Sequence, residues 1–130
     1  MPVADTSFLV DIIRHDPNAL AKLEALESEG KPLSITPVIA LELFEGAYRS
    51  LRVEENVKEK LAILSLCDEV PFDTDIYHAF GYLSATLQEC GSPVGDFDQA
   101  IAAAALCYDA EIITRDQHFE KIPELKVIVY

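Results

Sequence analysis

A chain of 130 residues, half of them hydrophobic and a quarter charged, is sized for one domain with a core of its own. Its formal net charge of −13 at pH 7 argues against passive nucleic-acid binding over a broad surface, because neutralising phosphates drives such binding. No apolar run approaches the roughly 20 residues of a membrane helix, and Cys67, Cys90 and Cys107 are too scattered for a disulfide or zinc framework.

Pro2–Asp5 is short and apolar and predicts a buried first strand that ends at Asp5. Its position leaves no room for a leader before it, so a cytoplasmic location with reduced core thiols is expected. Phe8, Leu9, Ile12 and Ile13 fall at helical spacing within Thr6–Arg14. Asp16-Pro17 opens a second helix, with Leu20, Leu23 and Leu26 on its apolar face and Gly30 as its stop. Leu33–Thr36 reads as a second strand, and Thr36-Pro37 supplies a capping hydroxyl and a proline for the next helix start. That helix runs to about Arg49. Ile39, Leu43 and Ala47 mark one face, and Leu41, Phe44 and Tyr48 a second, so burial on two sides is expected. Val53, Val57, Leu61 and Leu64 mark a further amphipathic helix.

Glu69–Phe72 predicts a third strand. Asp73 or Thr74 caps a long helix carrying Ile76, Phe80, Leu83 and Leu87, and Gly91–Gly95 is a loop. Asp98–Tyr108 is an alanine-rich helix able to pack close to a sheet. Ala110–Thr114 and Lys126–Tyr130 complete the strands. Alternating strands and helices predict an α/β fold of three α/β/α layers around a mainly parallel five-stranded sheet, in a single domain spanning 1–130.

Ligands of open parallel sheets bind beyond the carboxyl ends of the strands. Asp5 closes the first strand, Asp116 follows the fourth by two residues, Asp96 and Asp98 stand at the start of the alanine-rich helix, and Glu42 lies in the second turn of the helix leaving the second strand. Four segments thus deliver acids to one sheet edge. Clustered carboxylates raise one another's pKa, and a hard cation such as Mg²⁺ or Mn²⁺ relieves the repulsion. Such an ion would also bring the phosphate that the net charge repels. His15, His78 and His118 lack zinc-site spacing. Ordinary readings stand beside this one. Asp98 suits a helix dipole, Asp96 an N-cap and Asp116 a turn. Asp5 is harder to explain away, since a carboxylate ending a buried strand loses hydration and no neighbouring Lys or Arg compensates it.

Val3-Ala4-Asp5-Thr6-Ser7, Glu42 after Thr36-Pro37, Gly95-Asp96-Phe97-Asp98-Gln99-Ala100-Ile101-Ala102-Ala103 and Ile113-Thr114-Arg115-Asp116-Gln117-His118-Phe119 together resemble the motifs of PIN-domain nucleases, in particular the VapC-type toxins of prokaryotic toxin–antitoxin pairs. The resemblance spans essentially the whole chain. It implies a Mg²⁺- or Mn²⁺-dependent endoribonuclease, held inactive by a cognate antitoxin and working as a homodimer away from membranes. It also implies that Asp5, Glu42, Asp98 and Asp116 form the acidic quartet, with Asp96 either a further ligand or a cap. Thr6 and Ser7 would orient Asp5 or a metal-bound water, and Thr114 would do the same for Asp116. Hydrolysis by a water activated at the metal would leave a 3′-hydroxyl and a 5′-phosphate; attack by the 2′-hydroxyl would leave a 2′,3′-cyclic phosphate.

Arg14, Arg49, Arg52 and Arg115 are the basic residues nearest the acidic edge by chain position, and Arg14, Arg49 and Arg115 are the candidate RNA contacts. The same residues could instead receive an acidic antitoxin tail. Two other acid-clustered folds fit less well. A receiver-type phosphoacceptor domain would need an acid pair after the first strand and a Lys after the last. A haloacid-dehalogenase-like phosphatase would need Asp where Ser7 stands. A non-enzymatic interaction module, using the helix around Glu42, is the remaining alternative.

Overall fold

Val3 and Ala4 are wholly buried, and the strand they form is the middle one of five. The computed structural model describes residues 1–130. Strands β1 (Val3–Ala4), β2 (Ser34–Ile35), β3 (Asp68–Glu69), β4 (Glu111–Ile113) and β5 (Lys126–Ile128) lie in the order β3-β2-β1-β4-β5. Every pairing is parallel, with Val3 opposite Ser34 on one side and Ile112 on the other. The helices are α1 (Thr6–Ile13), α2 (Pro17–Ser28), α3 (Pro37–Tyr48), α4 (Val53–Leu64), α5 (Thr74–Glu89) and α6 (Asp96–Cys107), and a 3-10 helix spans Gln117–Lys121.

The connections from β1 to β2 and from β2 to β3 step in one direction, whereas β3 to β4 crosses back over β2 and β1. Parallel crossovers are right-handed, so α1–α4 cover one face and α5 and α6 the other, in three layers. The reversal makes the β1/β4 junction the topological switch point, where a crevice forms beyond the strand ends.

Local chemistry sets the boundaries. The side chains of Asp16, Thr36 and Asp73 cap their helices by accepting the N–H of Ala19 (3.0 Å), Ile39 (3.3 Å) and Ile76 (3.2 Å). Gly30 follows α2 at φ +67°, the left-handed conformation that glycine adopts without penalty. In α6, Ala102 to Ala105 are fully buried, so this helix serves as a close-packed spacer between α5 and the sheet.

Several expectations are corrected. The third strand lies at Asp68–Glu69 rather than Glu69–Phe72: it matches the two-residue β2 through Ser34–Asp68 and Ile35–Glu69, and Pro71, which has no N–H, ends the ladder. α6 begins at Asp96 with Gly95 as its N-cap, so Asp98 does not open the helix and Asp96 is not its cap. The second face of α3 is not buried within the chain, since Leu41 is 63% and Tyr48 68% exposed. Cys90 and Cys107 are exposed rather than core thiols, whereas Cys67 is half-buried against the main core.

Candidate active site

Asp5 leaves β1 at the switch point and is only 7% exposed. No cation compensates it. Two hydroxyls do so instead, both on Oδ2: Thr114 Oγ1 donates at 2.7 Å and Ser7 Oγ at 3.3 Å. The Asp5 N–H is fixed by the carbonyl of Ile113 (3.0 Å), so the ends of β1 and β4 are tied through both backbone and side chain.

Thr114 serves Asp5 as well as Asp116. Its hydroxyl is spent on Asp5, 109 residues away, and as an acceptor it takes the Asp116 N–H (2.9 Å). Asp116 in turn caps the 3-10 helix, with Oδ1 accepting the His118 N–H at 2.9 Å and lying 2.7 Å from His118 Nδ1. Ser7 Oγ also accepts the Arg115 N–H (3.3 Å) and sits 3.2 Å from Thr114 Oγ1. A single hydroxyl network therefore sets the Asp5 and Asp116 segments relative to each other.

Thr6 meets Asp5 through its backbone, whose hydrogen bond lowers the Asp5 pKa. The Thr6 hydroxyl makes no bond to Asp5 and lies beside Glu42. Glu42 is delivered by the second turn of α3, next to the buried Leu43. Thr6 partly offsets the rise in the Glu42 pKa, yet no well-formed hydrogen bond closes between them: Thr6 Oγ1 and Glu42 Oε1 are both buried without a partner.

The carboxylates act on one another. Glu42 is pushed up to about 7, first by burial and then by repulsion from Asp5 and Asp98. Asp98 is raised by burial and by the charges of Asp5 and Asp116, with His118 pulling the other way. Asp5 is raised by burial and, more weakly, by Asp116, against the hydrogen bonds it accepts. Asp5, Glu42, Asp98 and Asp116 thus form one electrostatic cluster assembled from four segments. Asp96 does not figure among the charges that perturb it.

No three His, Cys, Asp or Glu side chains meet closely enough to form a closed metal-ligand shell as they stand. Mg²⁺ seldom uses such a cage; it keeps several waters and binds through one or two carboxylates together with substrate phosphates. An all-oxygen donor set with an orphaned buried carboxylate oxygen fits a hard divalent cation of that kind.

Two features were not legible in the sequence. Asp11 of α1 is buried, and its Oδ2 accepts the Tyr130 hydroxyl at 2.6 Å and pairs with Arg115 Nε at 3.2 Å. Tyr130 also packs on Phe8, with ring centroids 4.9 Å apart. Arg49 is committed to Glu45 (3.1 Å) and Arg52 to Glu55 (3.5 Å), whereas Arg14 has no ion-pair partner. No sequence signal marked Asp11 or Tyr130 as partners, because their contact spans 119 residues.

The PIN domain family model matches residues 3–125. The chain belongs to the PIN-domain family. PIN domains are nucleases and are generally dependent on divalent metal ions. Over 124 residues this PIN domain is 27% identical to the tRNA(fMet)-specific endonuclease VapC of Salmonella typhimurium, covering 95% of this chain and 92% of that protein. It is 30% identical over 123 residues to the tRNA(fMet)-specific endonuclease VapC of Shigella flexneri, covering 94% and 92%. Among solved structures, the Rickettsia felis VapBC2 complex bound to a promoter DNA fragment superposes with a TM-score of 0.90 at 25% identity, covering 98% of this chain and 96% of that one. DNA-bound VapBC of Salmonella typhimurium gives 0.87 at 26%, covering 99% and 98%.

Proposed function

We propose that this PIN domain is a divalent-metal-dependent endoribonuclease that hydrolyses single-stranded RNA, and that it is the toxin of a VapBC-type pair. The observation that carries the reading is the convergence of Asp5, Glu42, Asp98 and Asp116 from four segments beyond the β1/β4 switch point, where Thr114 joins the Asp5 and Asp116 segments. These four acids would hold Mg²⁺ or Mn²⁺, with Asp96 outside the coupled set. When bound, the ion supplies Lewis-acid charge at the phosphate and lowers the pKa of water there. Thr114 and Ser7 fix the orientation of Asp5. Glu42, with a buried carboxylate oxygen lacking a partner, would ligate the ion or orient a water bound to it. Arg115, anchored at Nε by Asp11, keeps the rest of its guanidinium for phosphate.

The solved VapBC neighbours support an antitoxin as partner. Exposed Leu41, Tyr48, Leu51 and Leu61 give α3, α4 and their connection an apolar surface suited to a homodimer. No helix is long and apolar enough to cross a membrane; a cytoplasmic site of action and a single domain over 1–130 belong to the same reading. The test incubates purified protein with end-labelled single-stranded RNA in Mg²⁺, in Mn²⁺ and in EDTA. Cleavage should require the ion, should be abolished in Asp5→Asn, and should leave 5′-phosphate ends. Equal cleavage by wild type and Asp5→Asn would sink the proposal, and 2′,3′-cyclic phosphate ends would rule out attack by water.

A further inference from the structure

Only ten residues of this chain are Lys or Arg, against 23 Asp and Glu. Five of the ten are engaged with carboxylates: Lys31, Arg49, Arg52, Arg115 and Lys126. The other five, Arg14, Lys22, Lys58, Lys60 and Lys121, have no such partner. Three of these free cations line two clefts, and each cleft contains a member of the acidic cluster.

The first cleft, about 520 Å³, opens between α1, α3 and α4. Glu42 and Thr6 form part of its wall, and Arg14 and Lys60 stand in it together with Asn56. Lys60 is half-buried and forms part of the cleft lining. The second cleft, about 260 Å³, is lined by Gly95, Asp98, His118 and Lys121. The sheet order separates them: Glu42 follows β2, on one side of β1, whereas His118 and Lys121 follow β4, on the other. Asp5, at the end of β1, lies between. Each cleft also contains an acid, Glu59 in the first and Asp98 in the second, so neither is a general anion trap.

We infer that the two clefts form one track for single-stranded RNA across the carboxylate cluster, with Arg14 and Lys60 holding a phosphate on one side of the scissile bond and Lys121 a phosphate on the other. This rests on the ribonuclease reading and adds the path of the substrate. A strongly acidic protein cannot attract a polyanion by its overall field. It needs local cations left unneutralised where the strand passes, and the free cations of this chain are concentrated there. Phosphate contacts of this kind position a strand without reading its bases. Arg49 lines neither cleft, so the track draws on Lys60 and Lys121 in its place.

The experiment measures steady-state cleavage of a short labelled RNA with Mg²⁺ or Mn²⁺, and binding of the same RNA to Asp5→Asn protein over a salt series. Arg14→Ala, Lys60→Ala and Lys121→Ala should each raise KM and Kd on the order of 3–10-fold, with kcat changing less, and each should flatten the salt slope by about 0.7–1. Lys60→Arg should restore most of the loss. Lys58→Ala removes an unpaired cation of the same helix that lines neither cleft, and should change neither quantity. Cleft variants that behave like Lys58→Ala, while the wild type cleaves RNA, overturn the track and leave the ribonuclease reading standing. Variants that keep wild-type RNA affinity but lose binding of a polyglutamate peptide overturn it in favour of a protein site. A wild type that cleaves no RNA overturns both.

Discussion

Glu42→Gln should stabilise the metal-free protein at alkaline pH and weaken its response to metal. Glu42 titrates at about 7 in the folded chain against an ordinary 4.5, so the fold binds its proton more tightly than the unfolded chain does. That contribution favours folding fully below about pH 4.5 and is lost as pH rises through 7. Above pH 7 the ionised side chain sits beside Asp5 and Asp98 and opposes folding. The shift corresponds to an upper bound of about 3 kcal/mol at 1.36 kcal/mol per unit, and solvent screening at this partly exposed side chain reduces it to about 1–2 kcal/mol. For a chain of this size that is roughly 3–10 °C in Tm. Scanning calorimetry in EDTA should show the Tm of wild type falling between pH 4.5 and pH 7 and that of Glu42→Gln falling less, so that the variant melts higher at pH 8. Glu45→Gln, which removes the weakest of the charges acting on Glu42, should change the profile in the same direction but by less. Added Mg²⁺ or Mn²⁺ should stabilise wild type more than Glu42→Gln, since an ion that binds only the folded state raises its stability. A Glu42→Gln protein that melts lower than wild type at pH 8 in EDTA would refute the electrostatic argument.

Three further predictions concern the supports of the site. Thr114→Val leaves Asp5 Oδ2 with only the weaker Ser7 bond; urea unfolding should show a loss of about 1–3 kcal/mol, and cleavage should fall through kcat. Tyr130→Phe keeps the ring against Phe8 but removes the 2.6 Å bond to buried Asp11, so a loss of about 1–2 kcal/mol is expected with RNA affinity weakened through Arg115. Leu41→Asp places a charge on the exposed face of α3 and should shift sedimentation from dimer to monomer while the monomer stays folded.

The elements were legible because their signals are local. Thr36-Pro37 and Asp16-Pro17 announce helix starts by their own chemistry, and the parallel sheet follows from the alternation of elements. The acids were legible one at a time, since each stands at a strand end or an early helical turn. What failed depends on distant partners. Nothing near Thr114 in the chain says that its hydroxyl serves Asp5 as well as Asp116, because the added contact crosses from β4 to β1. Periodicity marked Leu41 and Tyr48 as apolar without saying what would cover them. Chain position put Arg49 near the acidic edge, but Arg49 lines neither cleft, while Lys60 enters one only because α4 folds back along α3. The start of α6 moved for a local reason that was missed: the Gly95 carbonyl accepts the Gln99 N–H at 2.9 Å, which brings Asp96 into the first turn.

The central claim is that four acids from separate segments together build one divalent-cation site, holding one ion or two. Mn²⁺ binding followed by electron paramagnetic resonance tests it most directly, on wild type and on Asp5→Asn, Glu42→Gln, Asp98→Asn and Asp116→Asn. The account predicts saturable binding by wild type that each substitution weakens at least about tenfold, a loss of some 1.4 kcal/mol or more. Asp98→Asn and Asp116→Asn proteins that bind Mn²⁺ as tightly as wild type would contradict it.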